Sequence, residues 1–169
     1  MKKSIAFWAG VAGVSAACAG EVWMACPEFA DGAAYKPVAG AEGVSGVLPR
    51  GWSDGSSWSG AKVTYAFKKE GASGYLHAEA KGEGMCQFFN PSVPALDRLT
   101  CFRLLVRGRS ASGSDVMLGV RDSENDHAYS VMAKIALGEE WQDYVVPVSG
   151  GPAAKKSAFF IELFSPGSV

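Results

Sequence analysis

From Lys62 to Phe164 the sequence is broken into short apolar runs, and this punctuation rules out most folds before any motif is considered. The runs are KVTYAF, GYLHAEA, MCQFFN, TCFRLLVRG, DVMLGVRD, HAYSVMAKI, WQDYVVPV and SAFFIELF, separated by clusters of Gly, Ser, Asp and Lys. Several alternate with a period of two. Phe102, Leu104 and Val106 stand against Cys101, Arg103 and Arg107, and Val116, Leu118 and Val120 against Asp115, Met117 and Arg121. Alternation puts one set into a core and the other outward, as on a pleated strand. The best helical candidate, Met132 to Glu140, is short, lacks an N-cap residue and ends at Gly138, so it reads as a strand running into a turn. Strands at intervals of about ten residues, with turn residues between them, predict an all-β fold, an antiparallel β-sandwich or jelly roll. No parallel βαβ unit is visible.

The chain has 169 residues, enough for one domain with a real core. Sixteen basic residues against seventeen acidic ones give a net charge of -1, so nothing favours nucleic acid or a membrane-surface arm. The opening MKKSIAFWAGVAGVSAACAG places Lys2 and Lys3 before an apolar stretch with small residues at Ala17 and Ala19. That order is the signature of a signal peptide over residues 1–19, leaving 20–169 as the mature, secreted or periplasmic chain. The apolar stretch falls short of the roughly 20 residues a spanning helix needs. A second reading makes Ser15-Ala16-Ala17-Cys18 a lipoprotein box, with Cys18 acylated and the protein held at the cell surface.

Export permits disulfides, and the mature chain holds Cys26, Cys86 and Cys101. Cys86 and Cys101 lie on neighbouring runs that could pair as antiparallel strands, so either a bridge or two buried thiols is expected there. The cysteine spacing matches no zinc pattern, and the two histidines, His77 and His127, are remote from it.

Gly51-Trp52-Ser53-Asp54-Gly55 spells G-x-S-x-G, but a nucleophile elbow needs a strand before the serine and a helix after it, and Pro49 and SSWSG supply neither. Ser59 to Lys62 matches S-x-x-K only by letters, because Gly60 opposes the helix start that motif requires. The run Asp122 to His127 has the alternating acids of a calcium loop, but His127 stands where that loop needs Gly, so a solvated hairpin tip is expected. Glu79 with Glu83, or Asp122 with Asp126, could pair as glycosidase carboxylates, but these sit on expected turns with nothing to shift their pKa.

The order of these features, with Pro27-Glu28-Phe29, Asp31-Gly32, Leu48-Pro49-Arg50-Gly51-Trp52, Ser56-Ser57-Trp58, Glu140-Trp141-Gln142-Asp143-Tyr144 and Phe159 to Leu163, resembles the galactose-binding-like jelly-roll carbohydrate-binding modules of secreted bacterial glycoside hydrolases. The resemblance covers about Pro27 to Val169. It implies a non-catalytic polysaccharide-binding module of a multidomain glycan-degrading protein, with a catalytic domain following it and no catalytic cofactor. Such modules often hold a structural calcium, for which Glu28 and Asp31 could give oxygen ligands. Ala30 replaces the acidic residue that usually follows the early Phe, and the family's closing strand, with its paired Asp residues, has no counterpart before Val169.

A sugar-binding surface needs flat apolar groups for pyranose CH faces and planar or charged side chains for hydroxyls. Trp58, in its Ser and Gly setting, is the stacking candidate, whereas Trp52 is expected in the core and Trp141 and Tyr144 at core or corner positions. Gln87, Arg103, Met117 and Arg121 fall on outward parities of neighbouring runs, and His127 and Tyr129 follow at the next hairpin. If those strands adjoin, they line one concave face. The competing reading is a structural or adhesion sandwich that binds a protein or spaces a neighbouring domain.

Overall fold

The computed structural model describes residues 3–12, 23–25, 27–40, 42–82, 84–97, 101–110, 115–124, 129–149 and 155–164. The strands are β1 Lys3–Ala12, β2 Trp23–Ala25, β3 Tyr35–Pro37, β4 Val44–Pro49, β5 Ser53–Asp54, β6 Lys62–Glu70, β7 Ser73–Lys81, β8 Met85–Asn90, β9 Cys101–Ser110, β10 Asp115–Asp122, β11 Tyr129–Ala136, β12 Gln142–Ser149 and β13 Ser157–Phe164. Short 3-10 turns join some of them, and no α-helix occurs among the described residues. The eight apolar runs of the sequence become β6 to β13 in order. Met132 lies in β11, which ends at Ala136, so the strand reading of that stretch holds.

The strands form two sheets, an all-β sandwich. One sheet has the order β12-β9-β1-β7-β6-β4-β3 with β2 paired to β1, and the other has the order β11-β10-β13-β8-β5. Pairing is antiparallel except between β4 and β6, where Val44 to Gly46 run parallel to Val63 to Tyr65. That close pairing requires glycine: Gly46 has φ 100°, and a Cβ there would stand 1.8 Å from the Tyr65 carbonyl oxygen.

The core lies between the sheets. Val63 and Tyr65 of β6, Leu76 and Ala78 of β7 and Val106 of β9 meet Phe88 of β8, Val116, Leu118 and Val120 of β10, and Phe159 and Ile161 of β13. Trp52 is buried as expected, its ring edge-on to Phe29 at 4.9 Å and near Phe88 and Phe159 at 5.7 and 6.0 Å.

The link from β8 to β9 decides how strands are shared between the sheets. Val93 and Leu96 are buried around a 3-10 turn over Pro94–Leu96, where Pro94 costs nothing because the first amide of such a turn has no partner within it. Val93 donates to the Ser157 carbonyl at 2.8 Å, and the Ser157 amide donates to Asp97 Oδ1 at 2.6 Å. Anchored this way to the start of β13, the chain crosses between layers, so β8 and β9 belong to different sheets. The expectation that they pair is corrected. Cys86 is a free buried thiol in the core, and burial pushes its pKa up to about 12, which keeps it protonated and unreactive.

Candidate functional site

The outward face of the five-stranded sheet is built in cross-strand rows. Met117 of β10, Glu162 of β13 and Gln87 of β8 stand opposite one another in the first row. Gly119, Phe160, Phe89 and Ser53 form the next, and Arg121 lies one further along β10. Phe89 and Phe160 stack at 4.8 Å with an interplanar angle of 10°. The Arg121 guanidinium lies 4.2 Å over the Phe160 ring, and its Nη2 is 3.4 Å from Glu162 Oε1. The same Glu162 oxygen accepts from Gln87 Nε2. Gly119 adds no side chain between Met117 and Arg121, which leaves the strip the guanidinium crosses.

These groups are outward by alternation but not solvated. Gln87 and Glu162 are each 3% exposed and Phe160 is 4% exposed. Burial raises the Glu162 pKa, opposed by the Gln87 amide and the Arg121 charge. Arg121, Met117 and Phe89 are half-buried and Ser53 is exposed, so these four form the rim of a face with a buried floor.

The edge of this face is fixed by residues 53–59, which run along β8. Gly55 N donates to the Gln87 carbonyl at 2.8 Å, Gln87 N to Ser56 Oγ at 2.8 Å, and Met85 N to Ser59 Oγ at 3.0 Å. A Cβ at position 55 would stand 2.2 Å from Gln87 Oε1, so a larger residue there would displace the Gln87 amide. Tyr65 Oη, from the opposite sheet, donates to Asp54 Oδ1 at 2.7 Å and locks this segment to the core. Trp58 projects from it, 70% exposed.

The structure therefore brings Gln87, Met117 and Arg121 onto one face and sets Trp58 at its edge. Arg103 does not join them. It lies on β9 in the other sheet, because the crossing at Pro94–Leu96 separates β8 from β9. The Tyr129 backbone pairs with Arg121 beside a register shift after Val120, and His127 lies outside the described residues. Glu28 Oε1 accepts from Trp52 Nε1 at 3.2 Å, and Asp31 Oδ1 caps the Ala33 amide at 2.9 Å. No group of three or more His, Cys, Asp or Glu residues that could hold a metal occurs among the described residues. Ser53 lies on the two-residue β5 with a 3-10 turn after it, not the helix an elbow requires. Glu79 pairs with Lys81 at 3.6 Å, while Glu83 and Asp126 lie outside the described residues. Asp122 caps its own hairpin, accepting from the Glu124 amide at 3.1 Å and the Lys155 amide at 3.3 Å.

Sequence reasoning missed Phe89, Phe160 and Glu162, although a signal was present. Phe88-Phe89 and Phe159-Phe160 are adjacent aromatics on alternating strands, so one of each pair must face outward. Glu162 is the only charge in SAFFIELF. Also missed was a cavity of about 560 Å³ on the other sheet, lined by Glu70, Ser73, Tyr75, Arg107 and Trp141 among others. There Glu70 Oε2 accepts from Trp141 Nε1 at 2.8 Å and Arg109 Nη2 at 2.9 Å, and Tyr75 meets the Trp141 ring edge-on at 5.2 Å. Trp141 is half-buried and lines this cavity rather than the core.

No helix among the described residues is long and apolar enough to cross a membrane. Comparison with known proteins finds no matching family model, no matching curated protein and no matching solved structure.

Proposed function

We propose that this chain is a secreted, non-catalytic carbohydrate-binding module of the galactose-binding-like jelly-roll kind, and that it holds polysaccharide on the outward face of the five-stranded sheet. One observation carries the reading: the half-buried Phe89 ring and the Arg121 guanidinium stand together at the rim of this face, held from below by the buried Phe160, Glu162 and Gln87. A pyranose ring needs both parts, a flat apolar surface for its CH face and planar hydrogen-bonding groups for its hydroxyls. The Arg121, Glu162 and Gln87 network orients these groups before any ligand arrives, so little rotamer entropy is lost on binding. Trp58 at the sheet edge extends the contact to a neighbouring sugar. The export signal over residues 1–19 fits a protein that meets polysaccharide outside the cell.

Affinity gel electrophoresis through neutral and uronate-containing polysaccharides tests this. Retardation of the wild-type chain on at least one polysaccharide is expected, with Arg121→Ala and Phe89→Ala each weakening it about tenfold, the loss of one charge-assisted hydrogen bond or one ring contact. Circular dichroism on the same variants separates lost binding from lost folding. A wild-type chain retarded by no polysaccharide would sink the reading.

A further inference from the structure

The charges on the outward face of the five-stranded sheet are matched one to one. Four charged side chains stand at outward positions of its described strands: Asp115 and Arg121 on β10, Lys134 on β11 and Glu162 on β13. Lys134 Nζ lies 2.5 Å from Asp115 Oδ2, and Arg121 Nη2 lies 3.4 Å from Glu162 Oε1. Asp54 and Asp122 take the inward parity, where Tyr65 Oη holds the first and the Glu124 and Lys155 amides hold the second. Lys155 and Lys156 belong to the turn before β13, past the Arg121 row.

The two pairs differ in depth. Lys134 and Asp115 are both partly exposed, so water screens their attraction. Glu162 is buried beneath a half-buried guanidinium, and the oxygen that meets Arg121 also accepts from Gln87 Nε2. A ligand on this face therefore meets the guanidinium and not the carboxylate under it. A sugar hydroxyl accepts a hydrogen bond from Arg121 and brings no charge of its own. A carboxylate or sulfate must in addition shed tightly held water, and only attraction to a cation can offset that cost. Here the cation is already compensated. Coulomb energy falls as 1/r, so an anion about 4 Å from the guanidinium and about 7 Å from Glu162 would lose about half of its attraction to repulsion.

We propose that Glu162 sets the specificity of this face: by neutralising Arg121 from beneath, it admits uncharged sugars and turns away uronate and sulfated ones. The proposal rests on the polysaccharide-binding reading above and adds to it the class of glycan. Glu162 acts through Arg121 without touching ligand, so it is a positioning residue, and the Gln87 amide fixes the carboxylate where it can act. The rest of the rim, Met117, Phe89 and Ser53, adds no charge.

Affinity gel electrophoresis at pH 8, which favours the charged form of a carboxyl whose pKa is raised, compares neutral galactan, xylan and β-glucan with polygalacturonate and dextran sulfate. The wild-type chain should bind at least one neutral polymer and bind either acidic one about tenfold more weakly or less. Glu162→Gln keeps an acceptor oxygen for Gln87 and Arg121 while removing the charge. It should raise the ratio of acidic to neutral affinity about tenfold, the gain of one charge-assisted contact, and adding Arg121→Ala should cancel the rise. A merely structural role would lower both affinities together. Met117→Lys makes the same change in net charge without disturbing the buried pair, because Met117 stands opposite Glu162 at the rim. It should raise the ratio as well, and it decides the matter if circular dichroism shows that Glu162→Gln does not fold. Val145→Lys places the same charge on the exposed surface of the other sheet and should leave the ratio where it was. A wild-type chain that binds an acidic polymer more tightly than any neutral one overturns the proposal and leaves the polysaccharide-binding reading standing. So does a folded Glu162→Gln with the wild-type ratio, or an equal rise in Val145→Lys. A chain retarded by no polymer removes that reading and the proposal with it.

Discussion

The two outward faces of the sandwich obey the same alternation and end in different physical states. On the eight-stranded sheet the outward charges pair in water. Arg107 lies 3.9 Å from Asp143 with both side chains more than half exposed, Arg109 lies 2.9 Å from the half-exposed Glu70, and Val145 is 60% exposed. On the five-stranded sheet Glu162 is 3% exposed beneath Arg121, and Phe160 is covered by that guanidinium and stacked on Phe89. Exposed pairs contribute about 0 to 1 kcal/mol each, whereas breaking a buried pair leaves a charge without compensation. Outward parity therefore says where a side chain starts, while its neighbours decide whether water reaches it.

The largest effect that could break this contrast is the loss of a ring. Phe160→Ala should destabilise by about 3 to 4 kcal/mol in urea unfolding, like a core aromatic, whereas Val145→Ala on the other face should stay within about 0.5 kcal/mol. Next comes Glu162→Ala, expected to cost about 3 kcal/mol because it removes the buried carboxylate that Gln87 and Arg121 share. Glu70→Ala, which removes a carboxylate held by Arg109 and Trp141 near solvent, should cost about 1 kcal/mol. Equal losses at Glu162 and Glu70 would end the distinction.

The response to acid sharpens it further, because the signs are opposite. The folded-state pKa of Glu162 is raised, chiefly by burial. Its contribution to stability is therefore present in full below the unfolded value of about 4.3 and is lost as pH rises through the folded value. His77, outward on β7, is held below its ordinary 6.5, first by burial and then by the Lys68 charge. The unfolded chain therefore binds its proton first, and stability falls as pH drops through about 6.5. Urea midpoints from pH 7.5 to 4.5 should show His77→Gln flattening the loss on acidification and Glu162→Gln removing the opposing gain. The smallest effect is screening: the cost of Arg109→Ala should shrink toward zero in about 1 M salt, where the screening length is about 3 Å, while that of Glu162→Ala should persist.

Much of the fold was legible because strands announce themselves locally. The alternation around Val116, Leu118 and Val120 and the turn residues between runs marked β6 to β13, whereas the burial of Trp52 was implied only by the family resemblance. The short strands β3 to β5 were not legible, since three-residue pairings such as Tyr35 to Pro37 carry no periodicity. The site was half legible. Parity placed Gln87, Met117 and Arg121 on outward positions, but it could not show that Arg103, with the same parity, belongs to the other layer.

By itself the sequence determined the secondary structure of the chain's second half, the parity of each residue on its strand, and the lack of an elbow around Ser53, because these depend on residues a few positions apart. Only the tertiary structure decided which strands share a sheet, that Glu162 is buried beneath Arg121 while Glu70 meets water, and that residues 3–12 occupy a central seat. Those outcomes depend on the turn at Pro94–Leu96 and on contacts between positions far apart in the chain, 75 residues between Gln87 and Glu162 and more between Ile5 and Ser110. No local pattern records such distances.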